Sequence, residues 1–325
     1  MTPELANRLI ARAFRKARVV GLECLTGGLR NANFKVTLSE RDEPVVLRIY
    51  QQDPSACQKE VDLLRLLHET VPAPEVLHAE PNGLDEIGPF AVLRYVEGIT
   101  FRELKRTGDL NAIQQASRSV GGTLAAIGRH TFSDAGRICA GLKIGERYVD
   151  GPDPVPRMFD SFIASPIFQV RAGKTLAQSV HELAWQWAPR LASLDEECHL
   201  VHSDFGSQNI LVRCVNHEWV VAAVLDWEFA FSGTPLLDVG HFLRYERQSQ
   251  PLREPYFSQA FLQFGGKLPD DWRQLGRVID LTALCEILTR ENVAEDIVAE
   301  VLDLVQATVE DCAPKLIGLE LQRKL

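Results

Sequence analysis

The chain has 325 residues and a mass of 36.3 kDa, enough for one large domain or two lobes with a core of their own. Hydrophobic residues make up 46 % and charged residues 24 %, a balance that excludes a disordered, fibrous or low-complexity protein. With 35 basic against 44 acidic side chains the formal net charge is −9, so a duplex phosphate backbone would be repelled and nucleic acid is not an expected partner.

At the N-terminus, Arg8, Arg12, Arg15, Lys16 and Arg18 alternate with Leu5, Leu9, Ile10, Ala13 and Phe14 at helical spacing, which predicts an amphipathic helix. No apolar core or small-residue cleavage site accompanies it, so it does not read as a targeting peptide. No run approaches eighteen apolar residues, and no membrane span is expected. The 7 cysteines are scattered without a CxxC pair, the pattern of free thiols in a reducing cytoplasm. Cys198, His199 and His202 lie close together but lack further ligands at metal spacing.

From Glu23 to Tyr50 the chain reads as strands broken by turns, with apolar segments at 33–38 and 45–50. Residues 55–69 read as a helix stopped by Pro72 and Pro74, and two further strands are expected near 75–79 and 89–93. Beyond Gly98 the pattern changes to helices around 111–127, 159–163, 176–192, 256–264, 271–288 and 293–309. The strong strand signals there are 209–215 and 219–225. A β-rich lobe followed by a mostly helical lobe is an α+β arrangement, with the cleft between lobes as a ligand site.

The sharpest motif is His202-Ser203-Asp204-Phe205-Gly206-Ser207-Gln208-Asn209, followed by an apolar hairpin ending in Leu225-Asp226-Trp227-Glu228. One loop presents a carboxylate and, five residues on, an amide; a second carboxylate arrives at the end of the partner strand. Hard oxygen ligands of this kind suit magnesium held with phosphate oxygens and water. Asn209 and Asp226 can supply the ligands, leaving Asp204 to take a proton from an attacking hydroxyl.

These two segments resemble the HxDxxxxN catalytic loop and metal-binding aspartate of the aminoglycoside phosphotransferase family, small-molecule kinases with a bilobal protein-kinase-like fold. The resemblance runs from Leu25 to about Arg244, and Leu200 to Asn209 is particularly similar to the loop of hygromycin B kinases. It implies a nucleotide-binding lobe over residues 1–97 and a helical lobe with catalytic loop and acceptor site over 98–325. Gly27-Gly28-Leu29-Arg30-Asn31-Ala32-Asn33 falls at the family's nucleotide loop, with Gly28 and Asn31 as phosphate contacts, although adjacent glycines between strands also suit an ordinary turn. Arg48 and Glu60 resemble the cation and glutamate pair that steadies nucleotide phosphates, with arginine in place of the lysine of protein kinases. Leu93 to Gly98 falls at the interlobe hinge, which makes the Arg94 carbonyl and Val96 amide candidates for the adenine edge. Asp238 is similar to the aspartate that braces the catalytic loop. Glu228 suits a second metal, the substrate or a bracing role.

The implied function is ATP- or GTP-dependent phosphorylation of a small-molecule hydroxyl with Mg2+ as cofactor. From Pro251 to Leu325 thirteen acidic residues face eight basic ones, which favours a polycationic acceptor such as an aminoglycoside. A macrolide or a metabolic alcohol of the sugar, choline or homoserine type stays open, as does a non-catalytic nucleotide-binding protein. Two decoys are set aside. Gly173-Lys174-Thr175 mimics the end of a P-loop, but Phe168 stands at its first glycine. Trp185 and Trp187 with His181 read as helix packing.

Overall fold

The computed structural model describes residues 1–25, 31–84, 86–149, 151–246, 250 and 252–313. The sheet-rich N-terminal part comprises α1 (Pro3–Ala13), β1 (Val19–Leu25), β2 (Asn31–Leu38), β3 (Arg41–Tyr50), α2 (Ala56–Leu67), β4 (Val76–Glu80) and β5 (Phe90–Arg94). Its strands form one antiparallel sheet in the order β1-β2-β3-β5-β4. Strand period two divides β3 between two cores. Val45 and Leu47 join Val36, Phe90 and Val92 under the apolar face of α1, while Tyr50 packs with Val61, Leu64 and Leu67 of α2. Arg48 shares the Tyr50 face, so a charged group enters the α2 side of the sheet with only 5 % of its surface exposed.

The remainder is mostly helical, interrupted by short strands. In chain order it contains β6 (Ile99–Thr100), α3 (Phe101–Arg106), α4 (Leu110–Ile127), β7 (Gly136–Arg137), α5 (Pro154–Ile163) and α6 (Pro166–Leu191). There follow β8 (His199–Val201), β9 (Ile210–Val215), β10 (Glu218–Val224), β11 (Phe231–Gly233), α7 (Leu236–Leu243), α8 (Tyr256–Gln263), α9 (Trp272–Thr289) and α10 (Glu295–Cys312). Strands β9 and β10 form the hairpin expected from the sequence and pair with β6; β11 lies between β7 and β8. This α+β, two-part architecture agrees with the sequence reading.

Local chemistry explains several boundaries. Thr100 and Glu103 form a reciprocal capping box that starts α3, and Asp109 caps α4 through the Ala112 amide. Two helices escape the sequence reading. α3 is only 6 residues long, and the 8 residues of α7 are buried on nearly every side, so neither shows amphipathic periodicity. α7 crosses α9 at Gly240 and Gly276. A Cβ on Gly240 would stand 2.1 Å from the Gly276 carbonyl oxygen, so backbone meets backbone there.

The decoys resolve in different ways. Gly173 interrupts α6 with φ 70°, and Phe168 is fully buried, so Gly173-Lys174-Thr175 starts the second half of a helix. Trp187 anchors α6 to the end of α10 by donating to the Cys312 carbonyl. Trp185 and His181, in contrast, do not pack inside; both side chains meet Asp160 near the surface.

Candidate active site

A cavity of about 450 Å³ opens between the sheet and the helical part. Leu25, Val46, Leu93, Leu211 and Leu225 supply apolar walls, and the segment from Leu93 to Val96 runs along one side. Arg48, Asn209 and Asp226 also line it. The Arg94 side chain turns away to Glu75 and Glu43, and its amide donates to the Glu75 carbonyl at 2.8 Å. Arg94 and Val96 thus both line the cavity, with the Arg94 side chain paired to glutamates. Gly28 lies outside the described residues, as do its neighbours 26, 27, 29 and 30.

The loop between β8 and β9 is held by a dense set of hydrogen bonds. Asp238, fully buried on α7, accepts the His202 amide at 2.7 Å and the Ser203 amide at 2.8 Å, one on each carboxylate oxygen. Burial pushes the Asp238 carboxyl up to about 7 against the pull of those two amides. Ser203 takes φ 72°, a left-handed kink that turns the chain toward the cleft. His202 is fully buried; its Nε2 donates to the Leu225 carbonyl at 2.8 Å, and its Nδ1 accepts the Asp204 amide at 3.2 Å. That pattern requires a neutral ring, and burial lowers its pKa to about 4.

Asp204 is a third exposed, beside the cavity-lining Asn209. Asn209 Nδ2 donates to its Oδ2 at 2.8 Å and to its backbone carbonyl at 2.9 Å. The amide nitrogen of Asn209 is therefore committed, and only Oδ1 is left to face a cation. Desolvation raises the Asp204 carboxyl to about 6; the Asn209 bond and Arg244 oppose the rise, while Asp226 and Glu228 add to it.

Arg48 and Glu60 do come together, as the sequence reading expects, and a third group joins them. Arg48 Nε stands 3.0 Å from Glu60 Oε2, a charge contact whose N–H points off the carboxylate, and Arg48 Nη1 donates to Asp226 Oδ1. Glu60, 2 % exposed, also accepts the Tyr50 hydroxyl at 2.5 Å and the Trp227 amide at 3.1 Å. Burial disfavours the guanidinium's charge, but Glu60 and Asp226 more than offset this and raise its pKa. The alternation of Arg48 and Tyr50 on one strand face was the available signal for Tyr50; the Asp226 contact spans 178 positions and had none.

Glu228 is engaged through both its side chain and its backbone. Its carboxylate accepts the Asn31 side-chain amide at 3.0 Å, and its carbonyl accepts Lys59 Nζ at 2.9 Å. Asn31, at the start of β2, is thereby tied to the loop after Asp226. Behind Asp204, the sequence reading missed a buried group on α7 and α9: His241, Arg244 and Asp280.

Arranged this way, a two-part fold presents a cleft lined by an arginine-bound carboxylate and by an asparagine that holds a second carboxylate beside it, the organisation of a protein-kinase-like small-molecule kinase. Residues 22–276 match the family model described as the phosphotransferase enzyme family, and the chain belongs to that family. Among solved structures, aminoglycoside phosphotransferase APH(4)-Ia in ternary complex with AMP-PNP and hygromycin B is 21 % identical, with a TM-score of 0.68 over 95 % of this chain and 99 % of that one. The GDP complex of an aminoglycoside 2′-phosphotransferase-IIIa mutant is 16 % identical, with a TM-score of 0.72 over 95 % and 98 % of the two chains. At these identities the likeness establishes the fold. A curated mouse protein, acyl-CoA dehydrogenase family member 10, is 25 % identical over 258 residues, 73 % of this chain; the match spans 22 % of that protein's length.

Proposed function

We propose that this chain transfers the terminal phosphate of ATP or GTP to a hydroxyl of a cationic, polyhydroxylated small molecule of aminoglycoside type. The observation that carries the reading is Asp204, a one-third exposed carboxylate held by Asn209, which itself lines the cavity together with Arg48 and Asp226. The same reading assigns a nucleotide lobe to 1–97 and an acceptor lobe to 98–325, and a cavity between sheet and helices is compatible with it.

In this reading the acceptor hydroxyl hydrogen-bonds to Asp204, which orients it and takes its proton as the oxygen attacks phosphorus. A carboxyl raised to about 6 is ionised at neutral pH and more basic than an ordinary aspartate. The Arg94 carbonyl and Val96 amide would meet the purine edge, and Gly28 and Asn31 the phosphates. Arg48, kept charged by Glu60, would contribute its guanidinium to the phosphate oxygens. Magnesium fits the donor set at Asp226 and Asn209, one carboxylate and one amide oxygen, with the remaining ligands left to phosphate and water. When bound, magnesium neutralises phosphate charge. The protein's own contribution is positioning and a fixed electrostatic environment.

Two relatives of the same fold carry hygromycin B and streptomycin in their complexes, and the acidic C-terminal third of this chain is compatible with a cationic acceptor. The test is turnover of ATP and GTP with magnesium against a panel of aminoglycosides, macrolides, sugars, choline and homoserine, read by mass spectrometry of the acceptor. Phosphorylated aminoglycoside is the expected product. Nucleotide binding without phosphate on any acceptor would replace this reading with that of a binding protein, and a phosphorylated neutral alcohol would replace the acceptor class.

A further inference from the structure

The cluster behind the catalytic loop has no part in the mechanism above, yet its geometry is directed at the proposed base. His241 Nε2 lies 3.4 Å from Asp204 Oδ1, on the carboxylate oxygen that Asn209 does not hold. On the other side of the ring, Nδ1 faces Arg244 Nη2 at 3.4 Å and Asp280 Oδ1 at 3.8 Å. Arg244 grips Asp280 with two bonds of 2.8 and 2.7 Å. With Nδ1 receiving from the guanidinium, the ring's hydrogen sits on Nε2, the nitrogen nearer Asp204.

The surroundings keep this ring in place. His241 is 9 % exposed and Asp280 3 %, and the Gly240 to Gly276 contact holds α7 against α9 at backbone distance. Burial and the adjacent Arg244 lower the His241 pKa to about 3, with Asp280 opposing, so the ring stays a neutral donor across the working range. The charged and titratable groups that face Asp204 are Asp226 and Glu228 from the metal loop, Asp238 and His241 from α7, and Arg244 just after it. His202 and Asp204 face His241 from the catalytic loop, and Asp280 from α9.

We infer that His241 is a positioning residue: anchored by the Arg244 and Asp280 pair, it donates to the free oxygen of Asp204 and fixes the carboxylate plane that receives the acceptor hydroxyl. At 3.4 Å the two groups are within reach of a hydrogen bond that tightens as the reacting complex forms. The inference rests on reading Asp204 as the base.

Two substitutions separate the two sides of the ring. The amide of His241→Asn can replace Nδ1 toward Arg244 and Asp280 but is too short for Asp204; that of His241→Gln reaches the Nε2 position. His241→Asn should lower kcat about ten- to a hundred-fold while acceptor KM and nucleotide affinity stay within two-fold, because the loss is one of alignment. His241→Gln should restore most of the lost kcat. Proton and nitrogen-15 NMR of the histidine rings, with the His241 signals assigned from His241→Gln, should show the His241 Nε2 resonance displaced in Asp204→Asn with no acceptor present. A His241 ring signal unchanged by Asp204→Asn would overturn the inference, as would equal kcat losses in the two His241 variants. If wild type phosphorylates no acceptor but the His241 signal is displaced, the kinase reading fails and the contact stands.

Discussion

Removing the Arg48 side chain is the most informative single perturbation of the cleft, because it strips a buried carboxylate of its countercharge. In Arg48→Met, Glu60 keeps the Tyr50 hydroxyl and the Trp227 amide but no cation, at 2 % exposure. Breaking a buried ion pair from one side costs about 3 to 5 kcal/mol, and the two surviving donors place the expected loss near the lower figure, about 3 kcal/mol. The Asp226 arm adds little to stability because that carboxylate is a third exposed. Burial already raises the Glu60 pKa, with Arg48 holding it down, so the variant should raise it further. A folded pKa above the unfolded value means that stability is fully present in acid and lost as pH rises through the folded pKa. The deficit of Arg48→Met against wild type should therefore be larger at pH 8 than at pH 5. Urea denaturation of Arg48→Met, Glu60→Gln and the double variant at both pH values measures this. The double variant should recover most of the loss, with a coupling of at least about 2 kcal/mol. Additive losses, or a deficit independent of pH, would refute the buried pair.

Asp204→Asn should reduce transfer by about 10²- to 10⁴-fold while calorimetry shows nucleotide affinity within a few-fold; in wild type, kcat/KM should fall about tenfold per unit below pH 6, as the base takes up its proton. Asp226→Ala should weaken magnesium-dependent nucleotide binding itself, so calorimetric titrations with and without magnesium should converge. Asp238→Asn turns one of two acceptors into a donor facing a backbone amide. It should cost about 1 to 3 kcal/mol and speed hydrogen exchange at the His202 and Ser203 amides relative to the rest of the chain.

What could be read from the sequence was local or carried by chain order. Asp204 and Asn209 sit in one loop, so their mutual hydrogen bonds are a matter of five residues of backbone. Arg48 and Glu60 fall on a strand and the next helix, and the structure brings them together. Contacts between distant segments carried no such signal. Asn31 meets Glu228 across 197 positions, and His241 reaches Asp280 only because two glycines let α7 and α9 touch. α7 itself was missed because an 8-residue helix buried nearly all round has no polar face to mark its period. The surface setting of Trp185 escaped for the opposite reason, since aromatic spacing along a helix says nothing of which side lacks a neighbour.

The position of α2 has a consequence for how this cleft can move. Through Glu60 the helix is tied at once to β3 by Arg48 and Tyr50 and to the Asp226 loop by the Trp227 amide, while Lys59 holds the Glu228 carbonyl one turn of chain further on. Swinging α2 outward would strip a fully enclosed carboxylate of three partners in one step and free a lysine whose burial has already lowered its pKa to about 8. The sheet, the helix and the loop carrying Asp226 must travel as one block, and any opening of the cleft is left to motion of that block against the helices beneath it.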